Sequence, residues 1–210
     1  MIPKIIHQIW VGPNPLPKRE KEFCQKVQEM HPEWEYHLWT DANVPIYQLP
    51  LGAQQQYQQF YERKDYAFCA DILRIWVVYI HGGIYLDVDF DCLKPLDEFL
   101  KFDGLLFHHP DAFPEADLTI VNGAFGMVPL SPIFLHVMRQ IMPDGYWYGP
   151  EWFGRMIKEY LNMPYDSPHM LVRAKLELQN ICYFNWAVFD RDYMKHFALY
   201  SWHPEYEAEK

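Results

Sequence analysis

Two carboxylates, Asp87 and Asp89, close an apolar alternating stretch, Ile84-Tyr85-Leu86-Asp87-Val88-Asp89. Period-two alternation predicts a strand with Ile84, Leu86 and Val88 on one side and Tyr85, Asp87 and Asp89 on the other. Two acids on one side of a strand repel each other unless a cation or a donor sits between them. A hard divalent ion such as Mg2+ or Mn2+ accepts oxygen ligands and can bridge to a diphosphate. Nucleotidyl and glycosyl transfer both need that arrangement, because the leaving diphosphate develops charge that the metal neutralises. D-x-D alone is a weak signal, since it also occurs at polar strand ends with no chemistry attached. Asp91 overlaps it as a second D-x-D. On a continuing strand all three acids share a face, and the strand pattern favours Asp87 and Asp89.

The element ahead of these acids strengthens the case. Phe68, Ile72, Ile75, Trp76, Tyr79 and Ile80 recur at helical spacing, which predicts a helix from Tyr66 to His81. Gly82-Gly83 ends it, because glycine suits a left-handed cap. Asp71 and Arg74 stand three apart and are neighbours on one helix face. The ordinary reading is an ion pair on a solvated surface. The helix is otherwise apolar, however, so the pair is expected to be partly buried and placed to bind sugar hydroxyls.

Around this centre, strands alternate with helices. Residues 5–11 read as a buried first strand ended by Gly12-Pro13-Asn14-Pro15, and Lys18 to Met30 as a helix. Trp34 to Trp39 reads as a strand and Ala53 to Arg63 as a helix. Gly104 to Phe107 and Asn122 to Val128 are strand candidates, while Ile133 to Met142 and Trp152 to Leu161 are helices. The aromatic tail from Ala187 to His203 reads as irregular. The alternation predicts a single α/β domain over residues 1–210 with a mostly parallel sheet, and ligands gather beyond the carboxyl ends of such strands.

The 210 residues are half hydrophobic and 22% charged, a globular composition. Aromatics are frequent, with 8 Trp, 15 Tyr and 14 Phe. They suit a packed core, and some rings could stack on a sugar or a nucleobase. A net charge of −10 argues against nucleic acid as a partner, but not against a small phosphorylated ligand held through a cation. The four cysteines form no C-x-x-C and no zinc-finger spacing, so reduced thiols in a cytoplasmic setting are expected. No signal peptide is apparent, and residues 72–80 are too short to span a bilayer. A protein that is soluble or peripheral to a membrane is expected.

Taken together, these residues resemble a known family. Residues 2–12, Ile-Pro-Lys-Ile-Ile-His-Gln-Ile-Trp-Val-Gly, resemble the opening strand of glycosyltransferase family 32. Ala70-Asp71-Ile72-Leu73-Arg74, continuing through Gly82-Gly83-Ile84-Tyr85-Leu86-Asp87-Val88-Asp89, resembles its central signature, and Lys94-Pro95-Leu96-Asp97 follows. The resemblance is strong over the N-terminal half and thin beyond it. It implies a GT-A fold, a UDP- or GDP-sugar donor, Mn2+ or Mg2+, a glycan or lipid-linked acceptor, and retention of anomeric configuration. It also implies residue roles. Trp10 stacks on the nucleobase beside Gln8, while Asp71 and Arg74 hold the donor sugar. Tyr85 and Asp87 contact ribose, sugar or diphosphate, and Asp87 shares the metal with Asp89, its direct ligand. Asn122, in Asn122-Gly123-Ala124-Phe125, contacts the sugar, and Tyr148-Gly149-Pro150 lies near the acceptor. His196 or Ser201 completes the metal site, and Trp202 covers the diphosphate. The family often has two adjacent histidines there, whereas this chain has His196 and, beyond Trp202, His203; the last ligand lies between them.

Two other classes compete. A nucleotidyltransferase or phosphohydrolase also uses paired carboxylates, but the Pro-rich turn at residues 12–17 is unsuited to a phosphate nest. A non-catalytic sugar-binding module has use for the aromatics but none for Asp71, Arg74, Asp87 and Asp89 together.

Overall fold

The computed structural model describes residues 1–108, 120–142 and 149–197. Eight strands and seven α-helices run in the order β1 (Ile5–Ile9), α1 (Lys18–Met30), β2 (Glu35–Trp39), α2 (Leu51–Glu62), α3 (Tyr66–His81), β3 (Gly83–Leu86), β4 (Phe90–Cys92), β5 (Gly104–His108), β6 (Ile120–Met127), α4 (Pro132–Arg139), α5 (Pro150–Tyr160), α6 (His169–Glu177), β7 (Ile181–Asn185), α7 (Trp186–Asp192) and β8 (Met194–His196) among these residues. Six strands form one sheet in the order β2-β1-β3-β6-β5-β7, and β4 pairs with β8 in a second. β1 is parallel to β2 and β3, and β5 is parallel to β7. β6 is antiparallel to both its neighbours. The main sheet is therefore mixed and mostly parallel. The carboxyl ends of β1, β2, β3, β5 and β7 share one edge with the start of β6.

Alternate strand residues feed two apolar layers. Tyr85, Leu106 and Phe125 pack among residues of α2 to α6, whereas Ile84, Leu86 and Phe107 pack with Val27 of α1 and Trp186 and Phe189 of α7. Each such side chain, fully buried, contributes about 1.5–3 kcal/mol. α3 is the central helix. Its Ile72, Leu73, Val77 and Val78 are wholly buried. Its end requires glycine: Gly82 has φ +67° and Gly83 φ +95°. A Cβ on Gly83 would lie 2.5 Å from the carbonyl oxygen of Ile5, so the pair lets the chain drop directly alongside β1.

Two expectations need correction, and two elements go beyond them. The strand into the acids stops at Leu86, and Val88 and Asp89 form a turn before β4 opens in the second sheet. The tail is ordered as α7 and β8 up to residue 196. Its dense aromatics hide the period, but Asn185 caps α7 by accepting from the amides of Ala187 and Val188. α6 and β7 were not foreseen.

Candidate active site

The end of β3 holds a dense polar cluster. Asp71 and Arg74, on α3, are both buried, more deeply than a partly solvated surface pair. Arg74 lies 3.3 Å from Asp71 and 3.3 Å from Asp87, so it bridges helix and strand. It also donates to the carbonyl of Asn122 at 2.8 Å and sits over the Tyr85 ring at 4.8 Å. The Asn122 amide donates to Asp71 at 3.0 Å, and the Tyr85 hydroxyl donates to Asp87. One cation thus joins α3, β3 and β6. Burial pushes the Asp71 carboxyl up to about 7, aided by Asp87 and opposed by Arg74 and Asn122. Burial also raises Asp87, with Arg74 opposing and the neighbouring Asp89 adding to the rise.

Asp87 is fixed from behind as well. Its backbone carbonyl accepts from the Gln8 amide at 3.1 Å, and Gln8 in turn accepts from the Tyr36 hydroxyl at 2.8 Å. Gln8 is fully buried and braces the D-x-D turn from beneath. Gly123 leaves room for the carboxylate, since a Cβ there would lie 2.8 Å from Asp87 Oδ2.

Asp89 belongs to a different assembly. Its Oδ1 lies 3.3 Å from His196 Nε2, and its carbonyl accepts from the Phe197 amide at 3.2 Å. β4 and β8 pair Phe90 with His196, whose rings stack at 4.6 Å. Asp190 accepts from the His196 amide at 2.7 Å. Asp87, Asp89 and His196 offer ligand atoms within 4.8 Å of one another, a group able to hold a metal ion. Burial lowers the His196 pKa, but Asp89, Asp87 and Asp190 outweigh it and leave the imidazole raised. Asp91 is drawn away to Lys26 of α1 at 2.6 Å, which separates it from the pair.

Trp10 lies beyond the end of β1, half-buried, and its indole donates to the Asn14 carbonyl at 2.8 Å. With Gly12, Leu16, Thr40 and Asp41 it lines a cleft of about 260 Å³ over the ends of β1 and β2. Asp41 accepts from the Gly12 amide at 3.1 Å and the Tyr61 hydroxyl at 2.8 Å, which fixes the cleft wall. Tyr36, Asp41 and Asp190 were missed in the sequence, although Asp41 follows a strand end, where ligand-edge residues are to be sought. Tyr148, Ser201, Trp202 and His203 lie outside the described residues, while Gly149-Pro150 opens α5.

A mostly parallel α/β sandwich with a D-x-D pair at the ligand edge has the GT-A fold. Its similarity to two solved structures supports this. One is the PaToxG glycosyltransferase, with TM-score 0.63, 18% identity, and coverage of 85% of this chain and 76% of that one. The other is the UDP-bound glycosyltransferase domain of the YGT toxin, with TM-score 0.50, 10% identity, and coverage of 87% and 79%. The family described as "Glycosyltransferase sugar-binding region containing DXD motif" matches residues 17–105 of this chain. It is 32% identical to mannosyl phosphorylinositol ceramide synthase SUR1 of Saccharomyces cerevisiae, over 71% of this chain and 37% of that protein. It is likewise 32% identical to inositol phosphoceramide mannosyltransferase 3 of Schizosaccharomyces pombe, over 67% of this chain and 37% of that protein. The chain thus spans little more than a third of either relative. No helix among the described residues is long and apolar enough to cross a membrane.

Proposed function

We propose that the chain is a metal-dependent glycosyltransferase. It moves a hexose from a UDP- or GDP-sugar to a carbohydrate or lipid-linked acceptor, with retention of configuration. The observation that carries this reading is the convergence of Asp87, Asp89 and His196 beside the buried Arg74 cluster. Two carboxylates and an imidazole suit a divalent ion, with the nitrogen favouring Mn2+ over the harder Mg2+. Burial, and to a smaller extent the neighbouring Asp89, raise the Asp87 pKa, and a cation between the two carboxylates would favour their charged forms. When bound, the metal would neutralise charge on the leaving diphosphate.

The chain's own residues do the rest. Trp10 stacks on the nucleobase in its cleft, with Asp41 at the wall. Asp71 and Asn122 offer hydrogen-bonding atoms to the donor sugar, and Arg74 keeps their geometry fixed. Tyr85 and Gln8 hold Asp87, so little reorganisation accompanies the reaction. The activities for which the two yeast relatives are named support mannose as the transferred sugar and a phosphoinositol headgroup as the acceptor.

The test is release of nucleoside diphosphate from a panel of UDP- and GDP-sugars, with and without Mn2+. Metal-requiring release from one nucleotide family is expected. No release with any donor, metal and acceptor combination would leave a sugar-binding module as the better account.

A further inference from the structure

At the other end of the same sheet edge lies a second polar cluster, separate from the D-x-D site. His108 ends β5 and is buried, and Tyr183 of β7 is buried beside it, with ring centroids 4.7 Å apart. His169 opens α6, its ring centroid 4.8 Å from that of His108, and its Nδ1 lies 2.7 Å from the Tyr183 hydroxyl. Arg173, one turn further along α6, places Nη2 3.1 Å from His108 Nε2. A guanidinium can only donate, so His108 accepts there and carries its proton on Nδ1. Arg173 itself is exposed, and no carboxylate among the described residues pairs with it, in a chain of net charge −10.

An exposed arginine that leans on a buried imidazole has lost part of its rotamer freedom before any ligand arrives. Four of its five N–H donors remain after the bond to His108, arranged as a fork that matches phosphate oxygens. Its place on the edge is also informative. β5 stands two strands from β3, and β7 stands three. At about 4.8 Å per strand the cluster lies roughly 10–15 Å from Asp87, on the side away from the Trp10 cleft. A transferred sugar and an acceptor ring together span a distance of that order.

We infer that Arg173, positioned by His108, forms an anion-reading subsite that recognises a phosphodiester on the acceptor polyol. The inference rests on the transferase reading above and adds the residue that selects the acceptor. A phosphodiester can come from a lipid headgroup or from a soluble phosphorylated glycan, and the chemistry at Arg173 is the same.

The experiment compares wild type with Arg173→Met and Arg173→Lys. Calorimetry reads the binding of glycerophosphoinositol and of neutral inositol, and sugar transfer to each is measured beside donor hydrolysis. Vesicles containing an inositol phospholipid form a further arm. The wild type should bind and use the phosphodiester at least tenfold better than the neutral polyol. Arg173→Met should erase that preference through KM and leave donor hydrolysis unchanged, and Arg173→Lys should recover part of it. Competition by the vesicles supports a lipid source; competition by the soluble diester alone supports a glycan source. An unchanged preference in Arg173→Met, or equal binding of both polyols by wild type, overturns the subsite. Donor hydrolysis absent in wild type while the phosphodiester still binds would fault the transferase reading and leave the subsite standing.

Discussion

The two halves of the D-x-D turn are held in opposite ways. Asp87 is locked into the main sheet: Arg74, Tyr85, Gln8 and the space above Gly123 fix it from four directions. Asp89 instead hangs between the main sheet and the small β4–β8 sheet, and its partner His196 arrives from the far end of the described chain. The first half is part of the fold's interior, so damage there should appear as lost stability. The second half is a junction, so damage there should appear as lost ligand binding with the fold intact.

Replacing Arg74 should separate the halves most strongly. Arg74→Met leaves Asp71 and Asp87 without their counter-charge, and removing one member of a buried ion network costs about 3–5 kcal/mol. Denaturant unfolding should show a loss of that size, and a change below about 1 kcal/mol would mean that Arg74 is not the keystone of the cluster. Asp89→Asn should do the reverse. Turnover should fall on the order of 10²- to 10³-fold, the scale of losing one electrostatic stabiliser, while the melting temperature stays near that of wild type. Steady-state kinetics beside a thermal melt would expose either failure.

Smaller effects mark the edges of the comparison. Trp10→Ala should weaken nucleoside diphosphate binding by about 1–3 kcal/mol, the worth of one stacked base, and leave metal preference alone. An unchanged dissociation constant rejects the stacking role. His7, on β1, tests the packing of the main sheet where it meets the end of α3. It is fully buried, accepts from the Trp39 indole at 3.1 Å, and its Nε2 lies 2.8 Å from the Gly82 carbonyl. Burial pushes its pKa down to about 3, with Gly82 opposing and His37 and His81 adding to the fall. The unfolded chain takes up that proton near 6.5 and the native state resists it, so its contribution is present above 6.5 and lost as pH falls toward 3. Melting temperature should therefore drop across that window. The slope should flatten in His7→Asn, and an equal slope in both would assign the acid sensitivity elsewhere.

Much of the locked half was legible in the sequence. α3 was readable to both ends because its apolar period is regular and Gly82-Gly83 punctuates it. Asp71 and Arg74 stood out as charges on an apolar helix, and β3 carried the alternation. The junction was not legible in the same way. Alternation ran on through Asp89 although the backbone turns after Leu86, because a two-residue turn need not interrupt a pattern of side chains. Bringing His196 to Asp89 depends on β4 pairing with β8, a long-range contact with no local signal. The family resemblance named His196, and the geometry brings it within reach of Asp89. α6 and β7 were silent for a related reason: α6 buries only Val172 and Leu176 and offers little periodicity.

The central claim is that Asp89 and His196, joined by the small sheet, complete a metal site for a nucleotide diphosphate. Calorimetric titration of Mn2+ in the presence of UDP and then of GDP tests it most directly, on wild type, Asp89→Asn and His196→Ala. The account predicts Mn2+-coupled nucleotide binding in wild type that is lost or at least tenfold weaker in both variants, with their melting temperatures retained. Equal Mn2+-coupled binding in wild type and both variants would contradict it.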